Sequence, residues 1–257
     1  MRICIYGAGA IGGYLGAMLE STGAEVSLIA RGPHLQAMQS RGLKLITAEG
    51  ESIHRLNCTD KPESLPAQDF VIVTLKAHSV PKIVPQIDAL LAPGGAVVTA
   101  VNGIPWWYFY GLEGPHKNQR LRSVDPDDQQ WQQLQPQRAI GCVVYPACDL
   151  LEPGVIRHVE GNRFTLGEPS GEKTERVMAL SQVFIEAGLK APVRPRIRDD
   201  IWVKLWGNLC FNPISVLTHA TLDIIATELG TRTIAAAMMA EAQQIAESLG
   251  VKFAVDI

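Results

Sequence analysis

The chain has 257 residues, 47% of them hydrophobic, enough to bury a substantial core and to divide in two. Lys+Arg 23 against Asp+Glu 26 leave a net charge of −3, and the one basic cluster, Arg194, Arg196 and Arg198, runs straight into Asp199-Asp200, which argues against a nucleic-acid partner. Five cysteines with no C-x-x-C pair and no metal spacing to the six histidines read as thiols of a reducing compartment, without disulfides or metal. With no charged leader and no apolar run able to span a bilayer, a cytoplasmic protein with no membrane partner is expected.

Residues 2–6, Arg-Ile-Cys-Ile-Tyr, form a short apolar strand that meets Gly7-Ala8-Gly9-Ala10-Ile11-Gly12-Gly13 and then an apolar helix to about Ser21. This is a dinucleotide fingerprint in its proper context. Gly7 permits the tight turn, Gly9 lets the backbone approach a pyrophosphate, and Gly12 lets the helix lie close on the sheet. A second strand, Glu25 to Ala30, ends at Ala30-Arg31-Gly32, where an NAD-preferring protein carries an acid for the ribose hydroxyls. An arginine there suits a 2′-phosphate, which favours NADPH over NADH, the alternative being an ordinary surface arginine.

A helix from Pro33 to Arg41 and short strands at 43–46 and 53–56 lead to Phe70-Val-Ile-Val-Thr-Leu75, a continuous apolar run that reads as a central parallel strand. Lys76 at its end either reaches the cofactor's adenosine end or is solvated. A helix from about Val80 to Leu91 precedes the strand Ala96 to Val101, and then Asn102-Gly103, which is either a contact to nicotinamide and substrate or an everyday turn. The segment from Pro105-Trp-Trp-Tyr-Phe-Tyr110 to Gln137 reads as a hairpin with a loop, its aromatics serving as packing or as a substrate wall.

Strands at about 139–145, 154–159 and 163–166, a helix from Glu172 to Ala187 and a strand at 189–193 complete a first domain, 1–195. Beyond it the pattern is wholly helical (198–218, about 221–229, and 231–249), the last with Ile234, Met238, Ala242, Ile245 and Leu249 on one face. The expected fold is therefore α/β: a Rossmann-type dinucleotide-binding domain followed by an all-helical domain, 196–257. In the first of these helices Ile201, Leu205 and Leu209 recur every four positions, and so do Lys204, Asn208 and Asn212. Four residues advance a helix by about 400°, so the polar trio lines one face within about 12 Å. Such a row beside apolar neighbours loses its water on burial, and a polar ligand is one natural partner for it. The other reading is a Lys reaching solvent and two Asn satisfying local hydrogen bonds.

With GAGAIGG at 7–13, the Arg31 and Lys76 positions, Val101-Asn102-Gly103 and the helix running W-x-K-L-x-x-N-x-x-x-N-P from Trp202 to Pro213, the chain resembles the ketopantoate reductase (2-dehydropantoate 2-reductase) family over nearly its whole length. The resemblance implies NADPH-dependent reduction of a small-molecule 2-keto acid, foremost 2-dehydropantoate, as in pantothenate biosynthesis. Lys204 would be the proton donor, Asn208 and Asn212 would bind substrate, and Asn102 would lie between cofactor and substrate. The loop Gly7, Ala8, Gly9, Ala10, Ile11 and Gly12, with Arg31 and Lys76, would hold the cofactor. The resemblance also implies a tail past Phe253-Ala-Val-Asp-Ile257 carrying a substrate-binding Ser and a Glu near the nicotinamide ribose. The helical domain thus reads as incomplete, and reduction is expected to suffer more than cofactor binding. Two competing readings are a relative acting on a bulkier 2-keto acid, with Trp106, Trp107 and Tyr108 shaping its pocket, and a non-catalytic NADPH-binding protein. The oligomeric state stays open, a homodimer among the options.

Overall fold

The computed structural model describes residues 1–255; Asp256 and Ile257, at the end of the tail segment, lie outside them. In chain order the elements are β1 (Arg2–Tyr6), α1 (Ala10–Leu19), β2 (Glu25–Ile29), α2 (Gly32–Arg41), β3 (Leu43–Thr47), β4 (Gly50–His54), β5 (Asn57–Thr59) and β6 (Gln68–Val73). Next come α3 (Val84–Leu90), β7 (Leu91–Thr99), β8 (Ala139–Val144), β9 (Ala147–Glu152), β10 (Val155–Glu160), β11 (Phe164–Gly167) and α4 (Glu175–Glu186). Three helices follow: α5 (Ile197–Thr218), α6 (Leu222–Thr227) and α7 (Leu229–Ser248). The chain forms two compact units, one of Met1–Val101 with Pro105–Ile197, the other of Asn102–Ile104 with the chain from Arg198 on.

In the first unit the larger sheet has the order β11-β8-β7-β6-β1-β2-β5, parallel throughout except for β11, which runs antiparallel to β8. Its central strands are buried on both faces, so Ile3, Cys4 and Ile5 are fully enclosed, as are Val71 and Ile72. The strand order reverses at the β6-β1 boundary, the position where such sheets bind ligands beyond the strands' C-terminal ends. A smaller sheet, β4-β3-β10-β9, pairs residues 43–54 with residues 147–160 and packs on α1. The sequence pattern marks most of its strands but not β9, nor the sheet they build. Close approach is possible because Gly13 has no side chain: a Cβ there would stand 2.2 Å from the Ile156 side chain.

Two expectations for this unit need correction. The segment after Val101 is no hairpin: among the described residues it holds turns and one π-helical turn, Gln130–Leu134, whose N–H groups at Gln130 and Trp131 donate to the buried Asp125 carboxylate at 3.0 and 2.9 Å. Of the two readings of the aromatics, packing is the one that burial supports: Trp106, Trp107 and Tyr108 are 4%, 0% and 1% exposed. The Trp107 indole N–H donates to Thr99 Oγ1 at 3.0 Å, and its ring fills the space that a side chain at Gly141 would take. The stretch 189–193 forms no continuous strand and runs parallel to 163–166 through isolated bridges, Arg163 with Lys190 and Leu166 with Val193.

In the second unit α5 packs through Trp206 and Cys210 against Ala242, and through Ile214 against Ala235 and Ile225. The Trp206 indole N–H donates to Met239 O at 2.7 Å. Large groups on α5 need small partners on α7, which is why its buried positions are Ala235, Ala242 and Ala246. The face read from periodicity is therefore rotated: Ile234 and Ile245 are each 57% exposed, and on α5 Leu209 is 42% exposed.

Candidate functional site

The glycine loop opens from the C-terminal end of β1. Gly7 takes φ +112, a left-handed conformation that a side chain would strain, and a Cβ there would also meet Leu75. The N–H groups of Gly7 and Ala8 both donate to Ile29 O, and Gly9 N–H closes the turn onto Gly7 O at 2.8 Å. Gly12 is the close-packed position: its Cβ would lie 2.2 Å from Gly7 O and 2.5 Å from Thr74 Oγ1. Gly9 is the reverse case, exposed and with nothing within 4 Å of where its Cβ would point.

Gly9 is the N-cap of α1 and supplies no side-chain cap, so the first N–H groups of the helix, from Ala10, Ile11 and Gly12, keep their hydrogen-bonding capacity for a ligand. Open space at Gly9 and an uncapped helix start together suit a pyrophosphate, with the positive end of the helix dipole behind it. Two residues that the sequence pattern does not single out hold this loop. Thr74, the polar member of the apolar run 70–75, donates from its hydroxyl to Gly7 O at 2.6 Å. His34 lies 2.6 Å from Ala8 O through Nε2.

Arg31 is exposed and is the N-cap residue of α2, beyond the end of β2; Lys76 is exposed beyond the end of β6. Since β6, β1 and β2 are neighbours, the structure brings the loop, Arg31 and Lys76 to the same edge of three adjacent strands. Tyr6, just before the loop, donates its hydroxyl to Gln86 Oε1. Burial, with a contribution from Cys4, pushes its phenol up to about 12, against the lowering effect of the Arg31 charge.

Lys204, Asn208 and Asn212 all lie on α5. Their row stands two residues back from Trp206, Cys210 and Ile214, hence about 200° around the helix, on the face opposite the packed stripe. Lys204 and Asn208 are half-buried and Asn212 is exposed. Asn102 is exposed, and Asn102–Ile104 group with the helical unit although they leave β7 in sequence. Among the described residues no cluster of His, Cys, Asp and Glu could hold a metal ion, and no helix is long and apolar enough to cross a membrane.

A parallel sheet with an open glycine loop at its switch point defines the class: a Rossmann-type dinucleotide-binding protein with an added helical part. Residues 3–171 match the family description "Ketopantoate reductase PanE/ApbA" and residues 196–257 its C-terminal counterpart. The chain is 54% identical to a Mesorhizobium japonicum protein named 2-dehydropantoate 2-reductase, covering 100% of this chain and 79% of that one. A solved structure from Ralstonia solanacearum MolK2, proposed to be a ketopantoate reductase, superposes with a TM-score of 0.94 at 42% identity, covering 99% of this chain and 79% of that one. The fold is shared with a D-mandelate dehydrogenase solved with NADH, at TM-score 0.82 and 21% identity over 99% of this chain and 76% of that one. The chain belongs to the ketopantoate reductase family and is an oxidoreductase.

Proposed function

We propose that this protein reduces 2-dehydropantoate to pantoate with NADPH, residues 1–195 holding the cofactor and residues 196–257 the substrate. The observation that carries this reading is the row of Lys204, Asn208 and Asn212 on the face of α5 opposite Trp206, Cys210 and Ile214, in a chain 54% identical to a protein named for that reaction. The preference for NADPH rests on Arg31, whose fixed cationic fork stands at the end of β2 in place of an acid.

When bound, the cofactor supplies a hydride to the ketone carbon. The Lys204 ammonium offsets the negative charge that gathers on the carbonyl oxygen and gives that oxygen a proton, leaving the 2-hydroxy acid. The Asn208 and Asn212 amides hold the polar groups of the substrate, and Asn102 orients it toward the nicotinamide. Loss of reduced nicotinamide absorbance against a panel of 2-keto acids tests the reading, with the highest kcat/KM expected for 2-dehydropantoate. Lys204→Ala should lower kcat by about 10²–10⁴-fold while dinucleotide affinity holds. Wild-type turnover in that variant would take the proton transfer away from Lys204.

A further inference from the structure

The His34 ring touches two backbone groups that are distant in the chain. Its Nε2 lies 2.6 Å from Ala8 O in the glycine loop, and its Nδ1 accepts the backbone N–H of Gly154 at 2.9 Å. These contacts determine the tautomer. A backbone N–H can only donate, so Nδ1 carries the lone pair, the ring proton sits on Nε2, and it is donated to Ala8 O.

Gly154 is itself well anchored. Its carbonyl accepts from Lys44 N–H at 2.8 Å, the preceding Pro153 carbonyl accepts from Arg41 at 2.7 Å, and its own φ of +81 brings it against Ala37 of α2, where a Cβ would stand 2.9 Å from the Ala37 side chain. At the other end the loop's N–H groups are held by backbone acceptors, Gly7 and Ala8 by Ile29 O and Gly9 by Gly7 O. Gly7 and Gly9 lack side chains, and the carbonyls of Gly7 and Ala8 are held by one side-chain donor each, Thr74 and His34.

We propose that His34 is a positioning residue for dinucleotide binding. By holding Ala8 O it sets the plane of the Ala8-Gly9 peptide, and with it the direction in which the first N–H groups of α1 face the pyrophosphate. His34 also lies three residues after Arg31 in the first turn of α2, so one ring ties the pyrophosphate loop to the turn that carries the cation. It contacts neither substrate-binding side chains nor reacting groups; its effect passes through Ala8. This inference rests on the dinucleotide site described above and not on the identity of the keto acid.

The test is the dissociation constant for NADPH and NADH, measured by titration on the full chain, with melting temperature and saturating kcat measured on the same samples. His34→Ala should raise both dissociation constants roughly tenfold, the scale of one hydrogen bond that orients the loop, and leave kcat at saturation within about twofold. His34→Gln, whose amide offers a donor and an acceptor at about the ring's spacing, should recover most of the affinity. A lower melting temperature with unchanged dissociation constants in His34→Ala, or a Gln variant no better than Ala, would overturn the proposal. Wild-type protein that binds neither dinucleotide would overturn it together with the proposed function, whereas normal binding without turnover of 2-dehydropantoate would overturn the function alone.

Discussion

Replacing Gly9 by alanine separates binding from folding at one atom. The position has φ −71 and ψ −160, which alanine adopts freely, and nothing lies within 4 Å of the added methyl. Two small effects on stability oppose each other. Alanine is a poorer N-cap than glycine, a loss of about 0.5–1 kcal/mol, while the stiffer unfolded chain returns about 0.4–1 kcal/mol. The melting temperature should therefore move by no more than a few degrees. Binding is another matter, because the methyl would occupy the space through which the backbone approaches the pyrophosphate. A steric penalty of about 1–3 kcal/mol corresponds to roughly five- to 150-fold weaker dinucleotide binding. Gly12→Ala makes the contrast: its methyl would sit 2.2 Å from Gly7 O and 2.5 Å from Thr74 Oγ1, so it should lower stability and binding together. Titration of both variants with NADPH, alongside thermal melts, reads the difference. Unchanged affinity in a folded Gly9→Ala protein would mean that the pyrophosphate does not lie against this loop.

Arg31→Ala should erase most of the preference for NADPH over NADH, since one charge-assisted contact is worth about 1.5–3 kcal/mol, roughly ten- to a hundredfold; equal affinities in the unmutated protein would refute its role. At alkaline pH the protein should lose stability. Burial pushes Cys4 and Cys142 up to about 12 from an ordinary value of 9.0, so above about pH 9 the unfolded chain sheds protons that the folded chain keeps, and unfolding becomes steadily easier as pH rises toward 12. Urea melts between pH 8 and pH 11 (values chosen to bracket the ordinary thiol range, about 8.5 to 9) would show it, and Cys142→Ala should flatten the slope.

How far the site can be read in the sequence depends on how local each part is. The glycine loop is legible because strand, turn and helix start follow one another within the first twenty residues, and the demands on Gly7, Gly9 and Gly12 arise inside that unit or from the strand beside it. The Lys204, Asn208 and Asn212 row is legible for the same reason, being a matter of spacing along one helix. The smaller sheet is not. It joins β3 to β10 across more than a hundred residues, and a strand's pattern of alternation says which face is buried without saying which distant strand will pair with it. His34 follows from that missing sheet, because the partner that orients its ring is Gly154, in the turn between β9 and β10.

The helical unit shows a different limit of periodicity. α5 carries two apolar series at four-residue spacing, Ile201, Leu205 and Leu209, and Trp206, Cys210 and Ile214, and hydrophobicity alone does not rank them. Packing does. An indole placed between helices needs both a neighbour small enough to admit the ring and an acceptor for its N–H, and α7 supplies the two together with Ala242 and Met239 O. The choice of Trp206 as the inward residue then rotates everything else on α5. Leu209 turns outward, and the polar row at 204, 208 and 212 is left on the face away from α7. A polar row facing α7 would have to satisfy a cation and two amides against alanines and methionines; turned away, it is spared that apolar surface. The packing of one tryptophan therefore decides which way the candidate catalytic lysine is turned, a consequence that the spacing of Lys204 among its own neighbours does not contain.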